Sequence, residues 1–248
     1  MERGRLPTST FVPQDQREEL MAVFAAVVYE QGYAATRLAD VAERAGAPVE
    51  TVEGFWRSEA ECLLDTVQTA TRQSFSRLAE SFMHIAGDCP LVAHLALAAM
   101  LRDMAGSPEM TFLAAVELPR LGPLVQAQQQ SMLDLFCEFL GPGFAAMGHP
   151  APDPPTISLC IGGGIEEVVR DHALRRCLHE LPDALPAISY VCVCTFFGID
   201  EAMRVSAIPV PAGRLDVRPG LARPRASMRR RDRLSGSIRE SPPSGSNR

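Results

Sequence analysis

Seven cysteines, five histidines and a Gly-Gly-Gly run are the features of this 248-residue chain whose types and spacing invite a chemical reading. The chain has no lysine, so all 24 basic residues are arginine. A G-x-x-x-x-G-K-[ST] phosphate loop, a Schiff-base lysine and a kinase-type lysine all require an ammonium group and are excluded. No G-x-S-x-G, H-E-x-x-H or paired Cys-x-x-Cys motif occurs. Cys192-x-Cys194 would point to different faces of a helix, with no second pair at zinc-ligand spacing. His172 and His179 lie seven residues apart and read as loop or surface residues. Gly162-Gly163-Gly164 follows no strand and precedes no Lys or Ser/Thr in register, which argues against a phosphate cradle. It reads as a close helix–helix approach or a local helix break. Catalytic residues, metal ligands and cofactors are therefore expected to be absent. The odd cysteine count, with most thiols inside apolar helical patterns, fits small buried hydrophobes in a reduced, cytoplasmic setting.

Charge is the second source of chemistry. The chain is acidic overall, at −6, but residues 213–248 hold ten Arg against Asp216, Asp232 and Glu240. Rich in Arg, Pro, Ser and Gly, with no hydrophobic period, residues 208–248 read as a disordered basic tail. That tail is either a solvated extension or a nonspecific contact to nucleic acid or an acidic partner through Met228-Arg229-Arg230-Arg231. Between residues 14 and 66 the balance reverses, with four Arg (17, 37, 44 and 57) against eleven acids.

The elements that must position these groups are helical throughout. Leu20, Phe24, Val27 and Val28 mark one face of a helix over 17–31, stopped by Gly32. Thr36 reads as the N-cap of a short helix burying Leu38, Val41 and Ala42. Ala45-Gly46-Ala47-Pro48 turns into a third segment ending near Trp56. Ser58-x-x-Glu61 then opens a long helix to about 85, with Val67, Phe75, Leu78 and Phe82 on its apolar stripe. Further helices are expected at 90–104, 109–117, 121–147, 156–178 and 184–206. The fold class is all-α. The longest apolar runs, 91–101 and 188–199, are shorter than the ~18–20 residues that cross a bilayer, so no membrane partner is expected.

Three short helices with a Gly-containing turn before the third form a helix-turn-helix, which presents its last helix to the DNA major groove. Here the residues resemble a known family. Phe24/Ala25, Gly32-Tyr33-x-Ala35-Thr36, Leu38-x-Asp40-Val41-Ala42-x-x-Ala45-Gly46, Thr51-Val52, Trp56-x-Ser58 and Glu61-x-Leu63 together resemble the amino-terminal domain of TetR-type (TetR/AcrR-like) transcriptional regulators. The resemblance implies a flexible arm at 1–13 and a DNA-binding domain at 14–74, its helix-turn-helix at 37–56. A helical ligand-binding and dimerisation domain follows at 75–207. It also implies a homodimer that binds a double-stranded operator and responds to a small apolar effector.

The implied DNA-binding residues are Arg37, Arg44, Val49, Glu50, Thr51, Glu53, Phe55 and Arg57. Several depart from the family pattern. Glu50 stands where a small residue, often Gly, is typical; Glu53 replaces a Tyr, Phe55 a His and Glu59 a Lys. The Tyr, His and Lys positions normally touch phosphates, whereas the kept Thr51 hydroxyl commonly bonds one. A carboxylate ~5 Å from a phosphate is repelled by a few kcal/mol at an effective dielectric of about 20. Compensation is available from Arg37, Arg44 and Arg57, from Arg3 and Arg5 in the arm, or from the tail. Either the acids form a solvated face that no longer needs DNA, or Glu50 or Glu53 accepts from cytosine N4.

In the body, Phe75, Met100, Met104, Phe112, Phe136 and Phe139 are candidates to line an apolar cavity, although such residues also fill cores. Arg102, Glu117, Gln126 and His94 are candidate polar anchors. Ile157, Ile161, Ile165 and Val168, with Ile188, Val191, Cys192, Thr195 and Phe196, form two stripes. The resemblance implies that these pair with their copies as a four-helix dimer interface; otherwise they face the subunit's own core.

Overall fold

The computed structural model describes residues 13–82, 88–147 and 151–210. Among these there are ten α-helices and no strand. Helix α1 (Pro13–Gln31) begins earlier than the apolar stripe alone suggests, with Pro13 at a position where its missing N–H costs nothing. Its inner face is the expected one: Leu20, Phe24, Val27 and Val28 are buried. Gly32 stops it at φ 82, a conformation that an L side chain resists.

Helices α2 (Leu38–Ala45) and α3 (Val49–Phe55) are joined through Gly46 at φ 64, which allows the left-handed cap of α2. Thr36 is not the cap of α2. It is fully buried, and its hydroxyl donates to the Gly32 carbonyl at 2.9 Å. The capping position is Arg37, whose backbone N–H donates to Asp40 Oδ2 at 2.8 Å. Helix α4 (Glu59–Phe82) opens with Ser58 Oγ accepting from Glu61 N at 3.2 Å, while Glu61 reaches back to Arg57 N at 2.8 Å. Its expected continuation to 85 lies outside the described residues.

Helix α5 (Cys89–Gly106) is capped by Asp88 and is the central strut of the body. After α6 (Pro108–Phe112), a π-helical turn at Leu113–Glu117 and a 3-10 stretch at Leu118–Val125 lead into α7 (Gln126–Ala146). The chain closes with α8 (Pro154–Leu174), a 3-10 turn at Leu178–Ala184, α9 (Leu185–Phe197) and α10 (Ile199–Ser206). The single helix expected over 184–206 is thus two, because Gly198 at φ 85 folds α10 back against α9. Helix α8 runs unbroken through Gly162-Gly163-Gly164, so the glycines make no break.

Two large apolar clusters hold the fold, and a small third one, Val193, Ala202 and Val205, joins α9 to α10. One joins α1–α4 around Phe24, Val41, Val52, Trp56 and Leu63, and takes Leu113, Leu118 and Val125 from the following segment. The other fills the body between α4, α5, α8 and α9, around Leu97, Leu101, Ile161, Ile165 and Leu181. The folded part reaches further than expected. Ile208 and Val210 pack on the body, so the tail begins after them and lies outside the described residues. One helical run, Leu178–Phe197, has the length and hydropathy to cross a bilayer, because the 3-10 turn extends α9. Its Leu181, Leu185, Ile188 and Cys192 are instead packed in the body core.

Candidate functional site

The helix-turn-helix is assembled from its buried side outward. Val52 is the buried anchor of α3, and Trp56 follows at its C-terminal cap with 1% exposure. The indole Nε1–H donates to Asp65 Oδ2 on α4 at 2.7 Å, and Arg17 on α1 forms an ion pair with the same carboxylate. Helices α1 and α4 and the C-terminal end of α3 therefore meet at Asp65. With Val52 and Trp56 turned inward, α3 presents Glu50, Glu53 and Gly54 to solvent, with Val49, Thr51 and Phe55 half-buried at its edges.

Two of the arginines expected to offset these acids, Arg44 and Arg37, are already engaged. Arg44 is held by Glu30 of α1, with NH2 2.7 Å from Oε1 and a second contact to Oε2. That hydrogen-bonded pairing lowers the Glu30 carboxyl below its usual pKa and raises that of Arg44. Arg37 turns its guanidinium onto the carbonyls of Thr36 at 2.9 Å and Ala34 at 3.3 Å. Arg37 and Arg57 also line an open cleft of about 570 Å³ with Leu38, Trp56, Ser58, Glu53 and Glu59. Beside it, partial burial and then the Glu59 charge raise the pKa of Tyr33. The outer face of α3 is thus acidic in structure as well as in sequence. Arg3, Arg5 and the tail arginines lie outside the described residues.

In the body, Phe75, Met100, Met104 and Phe112 are brought into a single apolar cluster. The side chains of Phe82, Gln126, Phe136 and Phe139 lie outside the described residues. The other candidate anchors have partners. His94 is fully buried: Nε2–H donates to the Ile208 carbonyl at 3.0 Å, so Nδ1 accepts from the Ser189 hydroxyl at 2.8 Å. Burial lowers its pKa. Arg102 NH2 donates to the Val210 carbonyl at 2.7 Å, and buried Glu117 accepts from Arg120 NH1 at 2.9 Å. The sequence reading passed over Ser158, a fully buried hydroxyl with no hydrogen-bond partner. The available signal was its place one turn before Ile161 and two turns before Ile165 on the apolar stripe of α8.

The two stripes assigned to a dimer interface divide. Ile161, Ile165, Ile188 and Cys192 are buried within one subunit, and Ile157, Val168 and Phe196 are half-buried against the same core. The four buried side chains are used within their own core, whereas the half-buried three keep part of their surface open. Val191 and Thr195 do face outward, as do Leu159 on α8 and Ile199 and Met203 on α10. A Cβ added at Gly163 or Gly164 would meet nothing within 4 Å. These glycines therefore serve no close helix approach within the subunit.

The junction between the two large clusters is closed by Arg176, which adopts φ 57. Its guanidinium lies 4.1 Å from the ring centroids of both Tyr29 on α1 and Phe112 on α6, and NH2 donates to the Tyr29 carbonyl at 3.0 Å. The two rings meet edge-on at 5.3 Å. The turn after α8 is thereby fastened to the end of α1.

Neither a protein-family model nor a curated protein sequence matches the chain. Solved structures do. The fatty acid degradation regulator FadR from Bacillus halodurans superposes with a TM-score of 0.62 at 16% identity, over 77% of this chain and 96% of that one. FadR from Bacillus subtilis, in complex with stearoyl-CoA, gives 0.62 at 18% identity, over 73% and 98%. A provisionally assigned TetR-family regulator from Mesorhizobium loti gives 0.55 at 15% identity, over 75% and 98%. The chain thus has the all-helical fold of TetR-like transcriptional regulators, along nearly the full length of those proteins.

Proposed function

We propose that this protein is a homodimeric, ligand-responsive DNA-binding transcriptional regulator of TetR type, acting as a repressor. The observation that carries the proposal is the open outer face of α3, held by Val52 and Trp56 in a helix-turn-helix on a regulator fold. Thr51 at the edge of α3 is the hydroxyl available to a phosphate, and Arg57 supplies positive charge at its end. In this reading Glu50 or Glu53 accepts from cytosine N4.

The dimer uses the outward residues Leu159, Val191, Thr195, Ile199 and Met203 rather than the buried stripes. Four of these are large apolar side chains at 56–62% exposure, which a partner subunit would cover. A two-fold axis there sets two α3 helices against half-sites one DNA turn apart. The effector is a fatty-acyl compound, by analogy with the stearoyl-CoA complex of the Bacillus subtilis protein and in keeping with the apolar cluster around Phe75, Met100, Met104 and Phe112. An acyl chain favouring one arrangement of α5–α8 shifts the population through the shared residues Leu113, Leu118 and Val125 and through Arg176 on Tyr29.

A second reading is favoured by a specific observation, the engagement of Arg44 with Glu30 beside an acidic α3. Duplex affinity comes mostly from unpaired cations at phosphates. In that reading the protein keeps dimerisation and the ligand site but has lost operator recognition. Selection from a random duplex library at ~100 mM salt separates the two, run with the full chain and with a truncation ending at Ala212. An enriched palindrome bound by both supports the regulator. Binding that needs the tail and enriches nothing, or no binding with and without acyl ligand, supports the second reading.

A further inference from the structure

The inward stripe of α8 is Ser158, Ile161, Ile165, Val169 and Ala173, four apolar side chains and one hydroxyl. Among the described residues, Ser158 Oγ is the buried side-chain oxygen or nitrogen that finds no partner. A helical hydroxyl has an easy local remedy, donation to the carbonyl four residues back. This chain uses that remedy at Ser81 to Arg77 and at Thr195 to Val191. Ser158 does not, although its residue is fully buried. An orphaned buried hydroxyl in an otherwise satisfied interior calls for a partner that is not part of the chain.

The surroundings define that partner's chemistry. Ile157 and Ile161, on either side of Ser158 in sequence, belong to the apolar cluster that also holds Phe75, Met100, Met104 and Phe112. The buried polar residues of the described structure include Glu117, His94, Ser189 and Thr111, and no buried arginine. Arg176, 4.1 Å over the Phe112 ring, is exposed and already donates to the Tyr29 carbonyl, so a carboxylate buried beside Ser158 would have no buried countercharge among the described residues, whereas a neutral oxygen needs none.

We propose that Ser158 donates its hydroxyl hydrogen to the neutral carbonyl oxygen, ester or thioester, of an acyl chain bound in the body. The assignment rests on the acyl-effector reading above and adds to it the contact atom and the preference for a neutral carbonyl over a free acid. Ser158→Ala separates it from a packing role. Titrations of the full-length protein with dodecanoyl-CoA, methyl dodecanoate, dodecanoic acid and the carbonyl-free dodecane give the affinities, and thermal melts give the stability of the ligand-free forms. The expected result is tighter binding of thioester and ester than of acid. In the variant both should weaken about five- to tenfold while the hydrocarbon is unaffected, the size of one lost hydrogen bond. The ligand-free variant should melt at or slightly above the wild-type temperature, because no native contact is lost, and Ser158→Thr should retain ester binding.

Equal ester affinity in wild type and Ser158→Ala, or a ligand-free variant that melts several degrees lower, overturns the assignment and leaves the acyl-effector reading standing. Failure of the wild type to bind any of the four probes overturns both.

Discussion

Replacing Trp56 by phenylalanine tests the claim that α3 is held by a hydrogen-bonded staple to α4. Trp56 is the chain's one tryptophan, 1% exposed, and donates to Asp65 Oδ2 at 2.7 Å. Phenylalanine keeps the apolar ring but removes the donor and the second ring. A shortfall of roughly 40 Å³ at about 24 cal/mol per Å³ costs about 1 kcal/mol. Losing a hydrogen bond to a charged acceptor costs about 1.5–3 kcal/mol. The lower end applies, because Asp65 keeps its Arg17 partner and is 20% exposed, so water can replace part of the loss. The sum is about 2.5 kcal/mol, a large share of a typical stability of about 5–15 kcal/mol. Urea melts followed by far-UV circular dichroism measure it without needing the indole. Asp65→Asn completes a double-mutant cycle, since Asn leaves an acceptor for the indole but removes the charge. We expect a coupling of about 1 kcal/mol between the two changes. A cost below about 1 kcal/mol for Trp56→Phe, or additivity within about 0.3 kcal/mol, would refute the staple.

Two further outcomes follow from buried titratable groups. Burial lowers the His94 pKa below its ordinary 6.5, so the unfolded chain binds a proton at mildly acid pH that the native state refuses. Stability should therefore fall as pH drops below about 6.5, and His94→Gln should flatten that fall in paired melts across pH 5–7. Cys62 and Cys192 are buried, and burial pushes both thiols up to about 12, whereas Cys89 and Cys160 are exposed. Iodoacetamide on the native protein should label Cys89 and Cys160 first and leave Cys62 and Cys192 unmodified until denaturation, as peptide mass mapping would read.

The helix-turn-helix was legible in the sequence because its signals are local. Gly32 and Gly46 mark helix ends that need positive φ, and the Leu38, Val41, Ala42 spacing orients α2 without knowledge of the rest of the chain. The acidic character of α3 was equally legible, since Glu50 and Glu53 stand three apart on a helix whose Val52 must point inward. Pairing across the chain was not. Nothing in the sequence couples Arg44 to Glu30, Asp65 to Trp56 and Arg17, or Arg176 to Tyr29. These contacts arise only when separate helices cross.

The stripes of α8 and α9 give the sharpest division. A 3.6-residue period reports that one face of a helix is covered, and it is silent about what covers it. The sequence by itself determined that Ile161, Ile165, Ile188 and Cys192 would be sheltered. The tertiary structure decided that their own subunit shelters them, leaving Leu159, Val191, Ile199 and Met203 outward. The same holds for hydroxyls. Composition counts Ser158 and Ser189 alike, but packing places Ser189 against His94 and leaves Ser158 without a partner, because hydrogen-bond satisfaction depends on which atoms the fold brings within about 3 Å.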